Sequence, residues 1–146
     1  NAENMSRFNK RVAGFHIHIG YDLLNDVIAK KTMNKFIAKA FDYFVVFPSR
    51  QHHSDPFREK YYGGYGNYRD TAYGNECRAL GGFFTDDKYL SWVYQQSIKA
   101  VTYCSSIENI EKLNEVDVPS TQNIDLALKY YKILGINLDD QLIKIK

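Results

Sequence analysis

Residues 14–20 read GFHIHIG, and this alternation constrains the fold more than any other part of the chain. Between Arg11 and Tyr21, the residues Ala13, Phe15, Ile17, Ile19 and Tyr21 fall on one face. Gly14, His16, His18 and Gly20 fall on the other. A period of two, with aromatic and β-branched residues on the apolar side, predicts a strand buried on one face. The glycines beside the histidines leave room for a ligand to approach the backbone. Both imidazoles lie within reach of one metal ion or one anion; the plain alternative is a pair of partly exposed strand histidines.

A chain of 146 residues suits one domain with a real core. Nineteen basic against seventeen acidic residues leave a net charge of +2, too small to point to nucleic acid or an anionic membrane. No apolar run is long enough to span a bilayer. Cys77 and Cys104 are the only cysteines and have no metal-ligand spacing, so two free thiols in a reducing compartment are expected. The expected location is therefore cytoplasmic. The chain starts with Asn1, without a signal-peptide pattern, and reads as a processed or partial piece of something longer. Aromatic residues are in excess at 15%, with tyrosines crowded between Tyr61 and Tyr73, a composition that suits a binding pocket or a subunit contact.

After the first strand, Leu24, Val27, Ile28, Met33, Phe36, Ile37, Phe41 and Phe44 recur at helical spacing, which predicts a helix over residues 23–46 with Pro48 as its stop. Residues 48–56, PSRQHHSDP, read as a polar loop, and 57–62 as one or two helical turns. The glycine- and tyrosine-rich stretch 63–74 has no clear period and reads as a loop. Residues 75–80 alternate as a strand, with Glu76 and Arg78 on one face and Cys77 and Ala79 on the other. Leu90, Val93, Tyr94, Ser97, Ile98 and Val101 predict a helix over 88–105, capped at Asp86 or Asp87. Residues 105–118 are charged and weakly amphipathic. A last helix, capped at Ser120 or Thr121, runs to Leu134 with Gly135 as its stop, before a short amphipathic tail.

The chemistry concentrates in two places. Glu76 and Arg78 repeat the one-apart arrangement of His16 and His18, so a carboxylate and a guanidinium share a strand face. Most such pairs are surface salt bridges. Arg58 and Arg69 lie upstream, Arg69 shortly after Gly63, Gly64 and Gly66. Open glycine amides and forked guanidiniums are suited to phosphoryl oxygens, but neither a Walker loop nor GxGxxG is present. His52 and His53 sit in the polar loop and read as solvated residues. A cysteine nucleophile at Cys77 or Cys104 has no supporting pattern.

AGFHIHIG followed by DPFREKYYGGYGNYRDTAYGNECRALGGFF resembles the phage phiEco32-like COOH-NH2 ligase type 2 family, amidoligases related to glutamine synthetase and glutamate-cysteine ligase. The resemblance covers about residues 11–100. It implies an α+β fold: part of a glutamine synthetase-like antiparallel sheet, the C-terminal half, with helices packed on one face. Residues 1–105 would form that half and 106–146 a helical extension. It further implies ATP and Mg2+ as cofactors, with His16 and Glu76 as metal residues. His18, Arg58 and Arg69 would bind ATP phosphates, and Arg69 and Arg78 would face the substrate or the transferred phosphoryl group; Asp55 matches the element beside Arg58. The implied activity is ATP-dependent joining of a small-molecule or peptide carboxylate to an amine through an acyl phosphate. The chain departs from the pattern at Phe15, where a glycine is expected, and at Cys77, where a tyrosine is expected. It also carries only Glu3 upstream, where further metal-binding glutamates are expected. The alternative expectation is a virion structural or assembly protein that keeps the fold without catalysis, alone as a homo-oligomer or with other phage proteins.

Overall fold

A proline sits inside the longest described helical run without ending it. The computed structural model describes residues 14–21, 27–52, 56–61, 63–81 and 87–144. Helix α1, Val27–Phe41, passes through a π-helical turn, Asp42–Val46, into α2, Phe47–His52, so Pro48 does not stop the helix as predicted from sequence. Proline brings no N–H and its ring crowds the preceding turn. The π turn absorbs this: the Phe47 amide reaches back to the Asp42 carbonyl, one residue farther than in an α-helix. Side chains from distant elements serve carbonyls of this turn. Tyr131 Oη donates to the Tyr43 carbonyl, and Gln96 Nε2 donates to the Phe44 carbonyl at 2.7 Å. Buried carbonyls need partners, and the later helices supply them.

The chain then forms α3, Pro56–Tyr61, and two strands, β2, Tyr68–Asp70, and β3, Gly74–Gly81. With β1, Gly14–Gly20, they make a three-stranded antiparallel sheet in the order β1-β3-β2. The stretch read as a loop over 63–74 therefore contains a short strand. Helices α4, Asp87–Tyr103, α5, Ile107–Asn114, and α6, Ile124–Leu134, follow, and a 3-10 turn, Leu138–Gln141, comes last. Helix α6 is capped by Asn123, not by Ser120 or Thr121, because the Asn123 side chain accepts from the Leu126 amide. Gly135 ends it with φ +70°. The protein is α+β, with helices against one face of the sheet.

One hydrophobic cluster joins the whole. It gathers Ile37, Phe41, Val45 and Phe47 from the central helical run and Leu80 from β3. Val93 of α4, Leu113 of α5, and Tyr131 and Leu134 of α6 complete it. Each fully buried large apolar side chain here contributes roughly 1.5–3 kcal/mol. The sheet is also tied to α1 by polar contacts. Asn34, fully buried, donates through Nδ2 to Asp70 Oδ1 at 2.7 Å and to the Gly74 carbonyl at 2.8 Å, while its own carbonyl accepts from Asn75 Nδ2 at 2.9 Å.

Two irregularities set the geometry of the polar face. Phe15 pairs with Leu80 and Ile17 with Cys77, so His16 alone faces both Arg78 and Ala79. This bulge breaks the alternation of β3, which is why Ala79 and Leu80 are both buried. At the other end β2 and β3 are joined by a tight turn in which Thr71 and Gly74 exchange backbone hydrogen bonds of 3.1 and 3.4 Å. Gly74 has φ +154°, and a Cβ there would stand 2.1 Å from the Ile19 carbonyl oxygen. Gly74→Ala is accordingly expected to destabilise the fold by about 2 kcal/mol, measurable as a lower urea midpoint with unchanged slope; an unchanged midpoint would show that β1 and β3 part there without cost.

Candidate functional site

The strand register assembles the site. His18 of β1 lies opposite Glu76 of β3, and Glu76 lies opposite Arg69 of β2, so three side chains form one row across the sheet. Directly opposite residues share a face and sit close enough to touch. His16 and Arg78, two residues along their strands, join the row through the bulge. Sequence alternation paired His16 with His18 and Glu76 with Arg78; the fold brings both pairs and Arg69 to one place.

Glu76 is the hub. Only 2% of it is exposed, although it sits on the polar face, because its own partners cover it. Oε1 lies 2.7 Å from His16 Nδ1 and 3.6 Å from Arg78 Nε. Oε2 accepts from Arg69 Nε at 2.9 Å and also from Arg69 Nη2. Burial pushes the Glu76 carboxyl up, but the hydrogen bond and charge of Arg69, with His16 and His18, outweigh it and hold the group below its ordinary value. The Arg69 side chain is 62% exposed, with Nε and Nη2 on Glu76 and Nη1 outside those bonds. His18, exposed at the rim, is bonded through Nδ1 to Tyr73 Oη. With the phenol as donor, the proton of a neutral His18 ring sits on Nε2.

Behind the row, Arg50 of α2 pins the glycine- and tyrosine-rich segment that leads into β2. Its Nη2 donates to the Gly63 carbonyl, its Nε lies 3.2 Å from Glu59, and its guanidinium sits 4.2 Å from the centre of the Tyr65 ring. Tyr65 Oη in turn meets Thr121 Oγ1 at 2.9 Å. The segment that delivers Arg69 is thereby fixed to two helical regions. Arg50 and Tyr73 escaped the sequence reading. Arg50 lies in what read as a solvated loop, and Tyr73 was one tyrosine among many.

Of the other sequence-predicted residues, Arg58 belongs to α3, but its side chain, like Asp55 and His53, lies outside the described residues. His52 is exposed at the end of α2. Cys77 and Cys104 are both buried and carry free thiols; burial pushes the Cys104 thiol up to about 12 and the Cys77 thiol higher still. Neither is placed to act as a nucleophile.

Among the described residues, no three His, Cys, Asp or Glu side chains are gathered to hold a metal ion. The donor chemistry agrees. Magnesium takes hard oxygen ligands, whereas the row contains one carboxylate whose two oxygens already face Arg69, Arg78 and His16. His16 Nδ1 as arranged is already paired with Glu76, and the described residues of the row do not fit a magnesium ion. A larger cleft of about 580 Å³, between α4 and the C-terminal turn, is lined by Trp92, Lys99 and Asp140 and contains none of the row. No described helix is long and apolar enough to cross a membrane. No family model, curated protein or solved structure matches the chain.

Proposed function

We propose that the row His18–Glu76–Arg69, with His16 and Arg78, receives an anionic group, a carboxylate or phosphoryl oxygen, as part of an ATP-dependent carboxylate–amine ligase. The observation that carries this reading is the charge arrangement. Two guanidiniums and the His16 imidazole meet a single carboxylate, His18 stands opposite it on β1, and Arg69 presents the rest of its fork to solvent. Glu76 orients Arg69 and His16; Arg69 and the outer nitrogen of His18, Nε2, then face the incoming oxygens. Preorganised cationic donors are most of what transfer of a phosphoryl or acyl group asks of a protein. The glutamine synthetase-like sheet is part of the same proposal, and the described residues of the row would act on the anion through their own donors.

The second reading, a structural or assembly protein without catalysis, also has an observation in its favour: every oxygen of Glu76 is already partnered, as in a structural staple. Release of inorganic phosphate from ATP, measured with and without a panel of primary amines and carboxylates, separates the two. Amine-dependent release that falls about 100-fold in Arg69→Ala, with an unchanged thermal midpoint, is the outcome expected of the ligase. No amine-dependent release from the wild-type protein would overturn that reading in favour of the structural one.

A further inference from the structure

The second side of β1 raises a separate question. Gly74 and Thr71 exchange backbone bonds, and Arg78 N–H donates to the Asn67 carbonyl at 2.9 Å, so residues 74, 76 and 78 of β3 turn their backbone groups toward β2. By antiparallel alternation Asn75 and Cys77 turn theirs toward β1, where they meet Ile19 and Ile17. The Tyr21 amide, bonded to the Tyr73 carbonyl at 3.0 Å, continues the same phase. The main-chain N–H and C=O of His18 and Gly20 therefore point away from the sheet, along its described edge.

Beneath that edge lies an apolar cleft of about 320 Å³ between β1 and α4, with Ile17, Ile19, Tyr94, Ile98 and Val101 in its walls. Tyr94 is 69% exposed and Ile98 49%, two residues one helical turn apart on the side of α4 that lines this cleft. Isolated exposed apolar residues are ordinary. Exposed apolar residues lining a cleft beside a strand edge that, at His18 and Gly20, has no neighbour among the described residues are not, since such edges are otherwise blunted by charge, proline or a cover.

We propose that β1 and α4 together dock an extended peptide by strand addition, and that the peptide alternates apolar and acidic residues. A strand added at His18 and Gly20 would place every second side chain over the cleft. The intervening side chains would fall on the face of His16 and His18, beside the His18 ring and in the field of Arg69 and Arg78. There the only described acid is Glu76, and two guanidiniums outweigh it. A second copy of the chain would serve the cleft with its own isoleucines but would bring its histidines onto the same basic face. Charge complementarity therefore selects an acidic strand over self-pairing. Nothing in this depends on phosphoryl chemistry.

Fluorescence anisotropy of a labelled peptide of alternating valine and glutamate, long enough to span β1, tests the proposal on the full chain. Saturable binding is expected. It should weaken at least about tenfold with Ile98→Glu, whose exposed position leaves folding intact. It should weaken similarly when lysine replaces glutamate in the peptide, and when the edge-facing amides of the peptide are N-methylated. Equal binding of the lysine peptide would overturn the charge complementarity, and equal binding of the N-methylated peptide would overturn strand addition. Light scattering is run alongside. Self-association abolished by Ile98→Glu, with no peptide binding, would assign the edge to a second copy and overturn the proposal.

Discussion

Asp42→Asn is expected to stabilise the protein above neutral pH and to remove a pH dependence that the wild type carries between pH 4 and 7. Asp42 opens the π turn in the centre of the hydrophobic cluster, with 1% of its surface exposed and Oδ2 without a hydrogen-bond partner. Burial pushes its carboxyl from 3.8 up to about 7, against the backbone amide of Gly66 and the charges of Arg50 and Lys39, which pull it down. A folded-state pKa above the unfolded one means that the native state binds the extra proton. Stability is therefore highest below the unfolded value and falls as pH rises from 3.8 through about 7, after which the loss is complete. A span of that size corresponds to on the order of 4 kcal/mol at high pH. Asparagine cannot ionise and still offers an oxygen to Gly66, but its amide lacks an acceptor where Oδ2 stood, so a net gain of about 2 kcal/mol at pH 8 is expected. Urea unfolding of both proteins at pH 5 and pH 8 reads this directly: Asp42→Asn should lie level with or slightly below the wild type at pH 5 and above it at pH 8. Parallel behaviour at the two pH values would show that Asp42 stays ionised in the folded protein.

That prediction could not have come from the sequence, and the reason is instructive. Asp42 follows Phe41 and precedes Tyr43 in a run whose helical period marks the apolar positions but says nothing of a change from α to π winding. The π turn exists because Pro48 lies just beyond it and because Gln96 and Tyr131 arrive from α4 and α6 to serve its carbonyls. Both donors are far away in sequence. The same separation explains the site. Period two put His16 beside His18 and Glu76 beside Arg78, since parity within a strand is local information. That His18 would face Glu76, and Glu76 face Arg69, depends on a register between strands some sixty residues apart and on β2, whose three residues are too few to show a period. Arg69 was marked by its chemistry and its glycine neighbours before its strand was visible. Arg50 was invisible because a single arginine in a polar stretch looks solvated until the fold lays Gly63, Tyr65 and Glu59 around it.

Glu76→Ala should cost the folded protein about 3 kcal/mol at pH 7, the low end for removing one member of a buried ion-pair cluster, because Arg69 can turn outward and rehydrate while Arg78 and His16 cannot do so as freely. The side chains of Arg78 and His16 are 29% and 30% exposed, against 62% for Arg69. The pH dependence runs opposite to that of Asp42. With its folded-state pKa held below the ordinary 4.5, Glu76 contributes its full stabilisation above 4.5 and loses it as pH falls through the lower value. The gap between wild type and Glu76→Ala should thus narrow in acid, and urea midpoints at pH 7 and pH 3 would show it. A constant gap would mean that packing alone, without charge, accounts for the loss. Arg69→Ala supplies the contrast. Its mostly exposed guanidinium should contribute no more than about 1 kcal/mol to stability, yet it is the member of the row most open to an incoming oxygen. If the row is only a staple, both substitutions act on the fold in proportion to burial and neither changes anion binding. If it is a site, Arg69→Ala leaves the midpoint nearly in place and removes binding of phosphate or carboxylate.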